Sequence, residues 1–143
     1  MIEIKLFDEK ELPLLTDFNS REWPSVDEEH YLSQQTDFSR EKFKFIAWDK
    51  ESVAGYISIF VDTGVAMMES LIVGADYRGA GLATQLVSAG EEKARSMGAH
   101  KIRLETGVDW SAKKLYEKLG YRVRVLLPNY YEHRDFVMMD KEL

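Results

Sequence analysis

An arginine and two glycines, Arg78, Gly79 and Gly81, stand in a turn within ESLIVGADYRGAGLATQLVSAGEEKARSM, residues 69–97. An apolar run (Leu71, Ile72, Val73) precedes the turn and a helix-periodic run follows it. The first N–H groups of a helix lack intrahelical partners, and the aligned peptide dipoles place partial positive charge there. A strand-to-helix turn of this kind holds phosphate oxygens on main chain alone. The glycines let a ligand approach closely, and Arg78 adds a permanent cation with a planar fork of donors. The chemistry expected of the segment is binding of a phosphate-bearing ligand by the N–H groups of residues 79–84.

Composition bounds what can surround such a site. At 143 residues the chain is one ordinary domain, long enough to bury about 68–70% of its unfolded surface. With 45% hydrophobic and 31% charged residues it reads as a soluble globular protein. A net charge of −6 argues against a nucleic-acid surface and mildly favours cationic partners. An anionic ligand must then meet local positive charge, for which Arg78, Lys113 and Lys114 are the candidates. The absence of cysteine rules out a thiol nucleophile and any Cys-based metal site. With His30, His100 and His133 scattered, no metal site is expected. The acidic N-terminus MIEIKLFDEKELPLL does not resemble a secretory signal, and no apolar run is long enough to span a membrane. A cytoplasmic address without membrane partners is the expectation.

The elements that must position the turn follow from periodicity. Ile2, Ile4 and Leu6 alternate as a strand, and Asp8 with Glu11 forms a capping box opening a helix that tolerates Pro13 near its first turn. Pro24, Ser25 and Glu28 signal a second helix through about Gln35, with an acidic face at Asp27, Glu28 and Glu29. Residues 42–48, 53–61 and 65–73 read as an antiparallel meander with short connections at 49–51 and 62–64. The next helix carries Ala83, Leu86, Val87, Gly90, Ala94 and Met97 on one face and stops at Gly98. Residues 101–106 (KIRLET) alternate as a strand, parallel to the one before the helix through a right-handed crossover. Asp109 caps a helix over 110–119 that ends at Gly120, and strands at 121–126 and 135–141 close a hairpin around Pro128, Asn129, Tyr130 and Tyr131. The order β-α-α-β-β-β-α-β-α-β-β predicts an α/β fold: a mixed, mostly antiparallel seven-stranded sheet flanked by about four helices.

Arg78 to Ala83 resembles the Arg/Gln-x-x-Gly-x-Gly/Ala signature of the GNAT superfamily of N-acetyltransferases. Asp109 to Tyr121, DWSAKKLYEKLGY, resembles the second signature, Asn-x-x-Ala-x-x-Leu-Tyr-x-Lys-x-Gly-Phe/Tyr. Ala112, Leu115, Tyr116, Lys118, Gly120 and Tyr121 match in register, while Asp109 stands where the family most often has Asn. The element order is also that of the GNAT fold. The resemblance implies a single acetyltransferase domain over 1–143 that moves an acetyl group from acetyl-CoA to an amine. It implies that CoA pyrophosphate lies on Arg78, Gly79, Ala80, Gly81, Leu82, Ala83 and Thr84, with Asp109 as a further cofactor contact; Lys113, one of the local cations named above, is the other expected contact. It places the pantetheine arm along Leu71, Ile72 and Val73, one N–H of which faces the thioester oxygen as a small oxyanion hole.

Acetyl transfer needs a neutral amine and a proton for the departing thiolate. Deprotonating a lysine-like amine at pH 7 costs about 4–5 kcal/mol, so a base is useful, and Glu69 is the candidate. Tyr116 stands where the family tyrosine donates to the leaving thiolate, and a phenol remains protonated at pH 7. Trp23, Tyr130 and Tyr131 are candidates for lining an acceptor pocket, by direct attack in a ternary complex. The acidic balance favours a small primary amine; a peptide N-terminus and a non-catalytic acetyl-CoA-binding module are the alternatives. Analogy with the family allows a homodimer. A dinucleotide-binding reading, with Glu105 on a ribose, is disfavoured by Thr84 at the third glycine position, and a P-loop lacks its Gly-Lys-Ser/Thr.

Overall fold

A computed structural model describes residues 1–32 and 39–143 of the chain, in two compact units, Met1–Asp37 and Phe38–Leu143. In the first unit the expected capping box is formed. Lys10 N donates to Asp8 Oδ1 at 2.9 Å and Asp8 N donates to Glu11 Oε2 at 3.0 Å, opening a 3-10 turn at Glu9–Glu11. That turn leads into α1, Leu12–Tyr31, with Pro13 in its first turn, where its missing N–H costs nothing.

Two expectations for this unit fail. Residues 2–6 form no ladder among the described residues; alternation gives a segment two faces, but a strand also needs a partner for its N–H and C=O groups. The second helix expected from Ser25 does not start there, because Pro24 lies inside the continuous α1. Ser25 Oγ donates back to the Glu22 carbonyl at 3.1 Å instead of capping a new helix, a bond that serine makes readily in a helix interior. The expected end at Gln35 lies outside the described residues.

The second unit is one sheet with two helices. β1 (Arg40–Asp49), β2 (Ser52–Asp62) and β3 (Val65–Val73) form the antiparallel meander, α2 (Leu82–Ser96) crosses over, and β4 (Lys101–Gly107) runs parallel to β3. After α3 (Ser111–Lys118), the hairpin of β5 (Arg122–Leu127) and β6 (Phe136–Glu142) inserts β6 beside β4. The sheet order is β1-β2-β3-β4-β6-β5. The described residues thus hold six strands and three α-helices, one strand and one helix short of the expectation, for the two reasons given above.

Helix α2 buries Leu86, Val87 and Ala94 with Ile57 and Ile59 of β2 in the core. Gly90 lets it approach, since a Cβ there would lie 2.6 Å from Ile59 Cδ1. One polar group is buried on α2: Glu91 accepts the Tyr121 hydroxyl at 2.9 Å and Lys141 Nζ at 3.0 and 3.2 Å, tying α2 to the closing hairpin. Burial first, then the charge of Glu91 and the bond to it, push the Tyr121 hydroxyl well above its ordinary pKa. Tyr121 also meets Tyr116 of α3 edge-on, with ring centroids 5.7 Å apart.

Candidate functional site

The site is made by a parting of strands. β3 and β4 pair only at Val65–Lys101, Ala66–Ile102 and Met67–Arg103. Immediately beyond, Ser70 faces Ser58 and Met68 faces Ile59, so Glu69 is an extra residue in β3, a bulge of the kind that re-aims a side chain. A cleft of about 360 Å³ opens there, lined among others by Glu69, Leu71, Glu105, Trp110 and Tyr116. A second, of about 290 Å³, is lined by Leu71, Ile72, Val73, Arg78, Ala83 and Tyr116 among others. Leu71, Ile72, Ala112 and Tyr116 belong to both, so the two clefts adjoin, with Tyr116 on their shared wall.

At one end lies the turn expected to bind phosphate. Gly79 and Gly81 have φ of +81° and +80°, and a Cβ at either would meet nothing within 4 Å. Glycine is needed there for the backbone, and the loop faces open space. Gly81 is the N-cap of α2 with no side-chain cap, which leaves the leading N–H groups of Leu82, Ala83 and Thr84 for a ligand. Arg78 Nε donates to the Val73 carbonyl at 3.1 Å, holding its guanidinium at the cleft. Ala80 completes the turn. Open glycine backbone, an uncapped helix start, a guanidinium held at the cleft and two adjoining clefts leading on from it suit a ligand with a phosphate head and a long arm.

Asp109 and Lys113 are placed differently from the loop residues. Helix α3 is capped by Trp110 rather than Asp109 and has no side-chain cap bond; Lys113 Nζ lies 2.6 Å from Glu117. Neither lines either cleft. Tyr116 is 7% exposed, and burial pushes its hydroxyl above the ordinary pKa, so it holds its proton. Glu69 faces Lys42 Nζ at 2.6 Å and accepts from Ser58 Oγ at 3.4 Å.

A second cleft carboxylate, Glu105, was not singled out for acid–base chemistry from sequence. It accepts the hydroxyls of Tyr130 (3.3 Å) and Tyr131 (3.1 Å), with Arg103 at 3.9 Å. Its signal was present in KIRLET: Ile102, Leu104 and Thr106 are buried, which leaves Glu105 on the alternate face of the strand flanking the parted edge. The two tyrosine rings lie 4.5 Å apart, and both rest on Phe136. Of the three expected acceptor residues, these two are held beside the cleft; Trp23 lies on α1, in the first unit.

The bond to Glu105, followed by that to Tyr130, pushes the Tyr131 hydroxyl up to about 12. A raised pKa favours the protonated form, so this tether is complete below the ordinary tyrosine value near 10 and is lost as pH rises through about 12. NMR of carbon-labelled tyrosine should find Tyr131 titrating late, and Glu105→Gln should bring it back toward the ordinary value. A Tyr131 that titrates normally in the parent protein would show that the tether does not form in solution.

The profile described as the acetyltransferase (GNAT) family matches residues 12–121. N-alpha-acetyltransferase 30 of Schizosaccharomyces pombe is 33% identical over 96 residues, 63% of this chain and 64% of that relative's length. Among solved structures, an acetyltransferase from Bacillus cereus superposes with a TM-score of 0.74 at 17% identity, covering 99% of this chain and 98% of that one, a likeness of fold. A chain of the NatC complex bound to Gag peptide and CoA superposes with a TM-score of 0.66 at 28% identity, covering 70% of each.

Proposed function

This chain belongs to the acetyltransferase (GNAT) family, and from that premise we propose that it moves an acetyl group from acetyl-CoA to a primary amine by direct attack in a ternary complex. The observation that carries the reading is the position of Tyr116, on the wall shared by a cleft that begins at Arg78 and a cleft that contains two carboxylates.

Acetyl-CoA supplies an activated acyl thioester. The chain's own residues do the rest. Arg78 and the N–H groups of Gly79 to Thr84 hold the pyrophosphate. Leu71, Ile72 and Val73 lie on the edge of β3 from which β4 has parted, and their main chain guides the pantetheine arm, one N–H polarising the thioester carbonyl. Glu69 receives the amine's proton, directly or through water, and Glu105 adds a second negative charge that draws the ammonium into the cleft. Tyr116 gives its proton to the departing sulfur.

The acceptor we favour is a small primary amine, which suits a cleft of about 360 Å³ bearing two carboxylates. A peptide N-terminus is the second reading. It is favoured by the tyrosine pair on Glu105 and by the likeness to N-alpha-acetyltransferase 30 and to a chain of the NatC complex bound to Gag peptide and CoA. An acetyl-CoA-dependent thiol-release screen against polyamines, aminoglycosides, amino acids and peptides tests both. Release with small amines is the expected result, and release with peptides alone selects the second reading. Acetyl-CoA binding without release across the panel would leave a binding module and overturn the enzyme reading.

A further inference from the structure

The protein's own Lys42 places a primary amine at the edge of this cleft. Its Nζ lies 2.6 Å from Glu69 Oε2. Lys42 starts from β1, where its Cα faces Phe60 of β2, so its side chain crosses β2 to reach a residue of β3. The bulge makes this meeting, because Glu69 is the extra residue between Met68 and Ser70. Lys44, on the same face of β1, instead lies over the Tyr56 ring at 5.8 Å. Leu71, which lines both clefts, lies two residues beyond Glu69, about 7 Å along the strand. A lysine on its flexible four-carbon stem spans such a distance by rotation alone. An amine tethered this close reacts at a high effective concentration and needs no encounter step.

Resting on the reading of these adjoining clefts as an acetyl-transfer site, we propose that Lys42 is a site of self-acetylation, its amine lodged on Glu69 where an external acceptor would otherwise sit. The Nζ–C bond forms as the C–S bond of the acetyl thioester breaks, and the electron pair leaves with sulfur. One ammonium proton passes to Glu69 and on to water. The second reaches the sulfur by way of Tyr116, whose own hydroxyl is restored by it. The product is an uncharged amide, so Glu69 loses its ion-pair partner and is released to added amines.

The test incubates the full chain and its Lys42→Arg variant with acetyl-CoA and no amine, followed by intact mass and peptide mapping. Arginine keeps a cation on Glu69 but presents no primary amine. One acetyl group on Nζ of Lys42 in the parent, none at position 42 in the variant, and a first-order rate unchanged by dilution are expected. Lys44→Arg should label as the parent does. Acetic anhydride gives a readout that needs no turnover: unacetylated CoA, by filling the clefts, should slow the reagent's attack on Lys42 and leave Lys44 unchanged. Labelling elsewhere, a rate that falls on dilution, equal labelling of the heat-denatured chain, or equal shielding of both lysines overturns the proposal. An unmodified Lys42 in a chain that still acetylates an added amine overturns self-acetylation alone. A chain that neither binds acetyl-CoA nor transfers its acetyl group overturns the proposed function and this inference with it.

Discussion

Tyr116→Phe is expected to lower kcat by about 10²- to 10³-fold, within the range attributed to a positioned proton donor, while the dissociation constant for acetyl-CoA stays within a factor of about two. The substitution removes one oxygen from the wall common to both clefts and leaves the ring. The edge-on contact with Tyr121 at 5.7 Å is retained, so the fold should be unaffected. Because burial holds the hydroxyl's pKa above its ordinary value, the proton remains available over the whole neutral and mildly alkaline range. Any loss of rate between about pH 8 and 10 therefore belongs to another group. Stopped thiol-release assays with a saturating amine, together with calorimetric binding, separate the two constants. Full turnover in the phenylalanine variant would remove Tyr116 from the proton path.

Glu91→Ala should destabilise the fold by about 3 kcal/mol, the lower end for breaking a buried ion pair by removing one partner. The lower end applies because the Lys141 side chain is 28% exposed against 9% for Glu91, so water can partly solvate the orphaned ammonium. For a chain of this size the loss corresponds to a fall in Tm of roughly 10 °C. Tyr121→Phe should cost only about 1.5–2 kcal/mol, the lower end for one hydrogen bond to a charged group, since it leaves the ion pair intact. Urea unfolding of the two variants provides the comparison. Equal, small losses for both would mean that Glu91 and Lys141 behave as a solvated surface pair.

The parts of the site that lie in consecutive residues were legible in the sequence. Arg78, Gly79 and Gly81 are a local device, and their placement needs only a strand before them and a helix after. Helix α3 was equally plain, though not its cap, which falls on Trp110 rather than Asp109 because a side chain's type does not fix where the first helical turn begins. The failures needed information beyond neighbours in sequence. Ile2, Ile4 and Leu6 have the right alternation, but no local pattern supplies a partner strand. Pro24 marks a helix start in most contexts, yet a long helix can absorb one proline at the loss of one bond. The alternation of KIRLET puts Glu105 on the open face of its strand, but its partners Tyr130 and Tyr131 come from the closing hairpin, which no local pattern brings to it. Lys42 required the bulge at Glu69, since one extra residue changes which side chains meet across a sheet.

The three residue pairs joining β3 to β4 make the sheet two leaves, β1-β2-β3 and β4-β6-β5, sharing a short seam. The Arg78–Gly81 turn and α2 follow β3 of the first leaf, with α2 also tied to β6 of the second through Glu91 and Lys141, while Tyr116 lies on α3, which follows β4. A donor gripped at its head by one leaf and served at its sulfur by the other would act as a staple across the seam. On the proposed mechanism the angle between the leaves would set the distance from hydroxyl to thiolate, so stiffness at Val65–Met67, remote from any reacting atom, would be a determinant of rate.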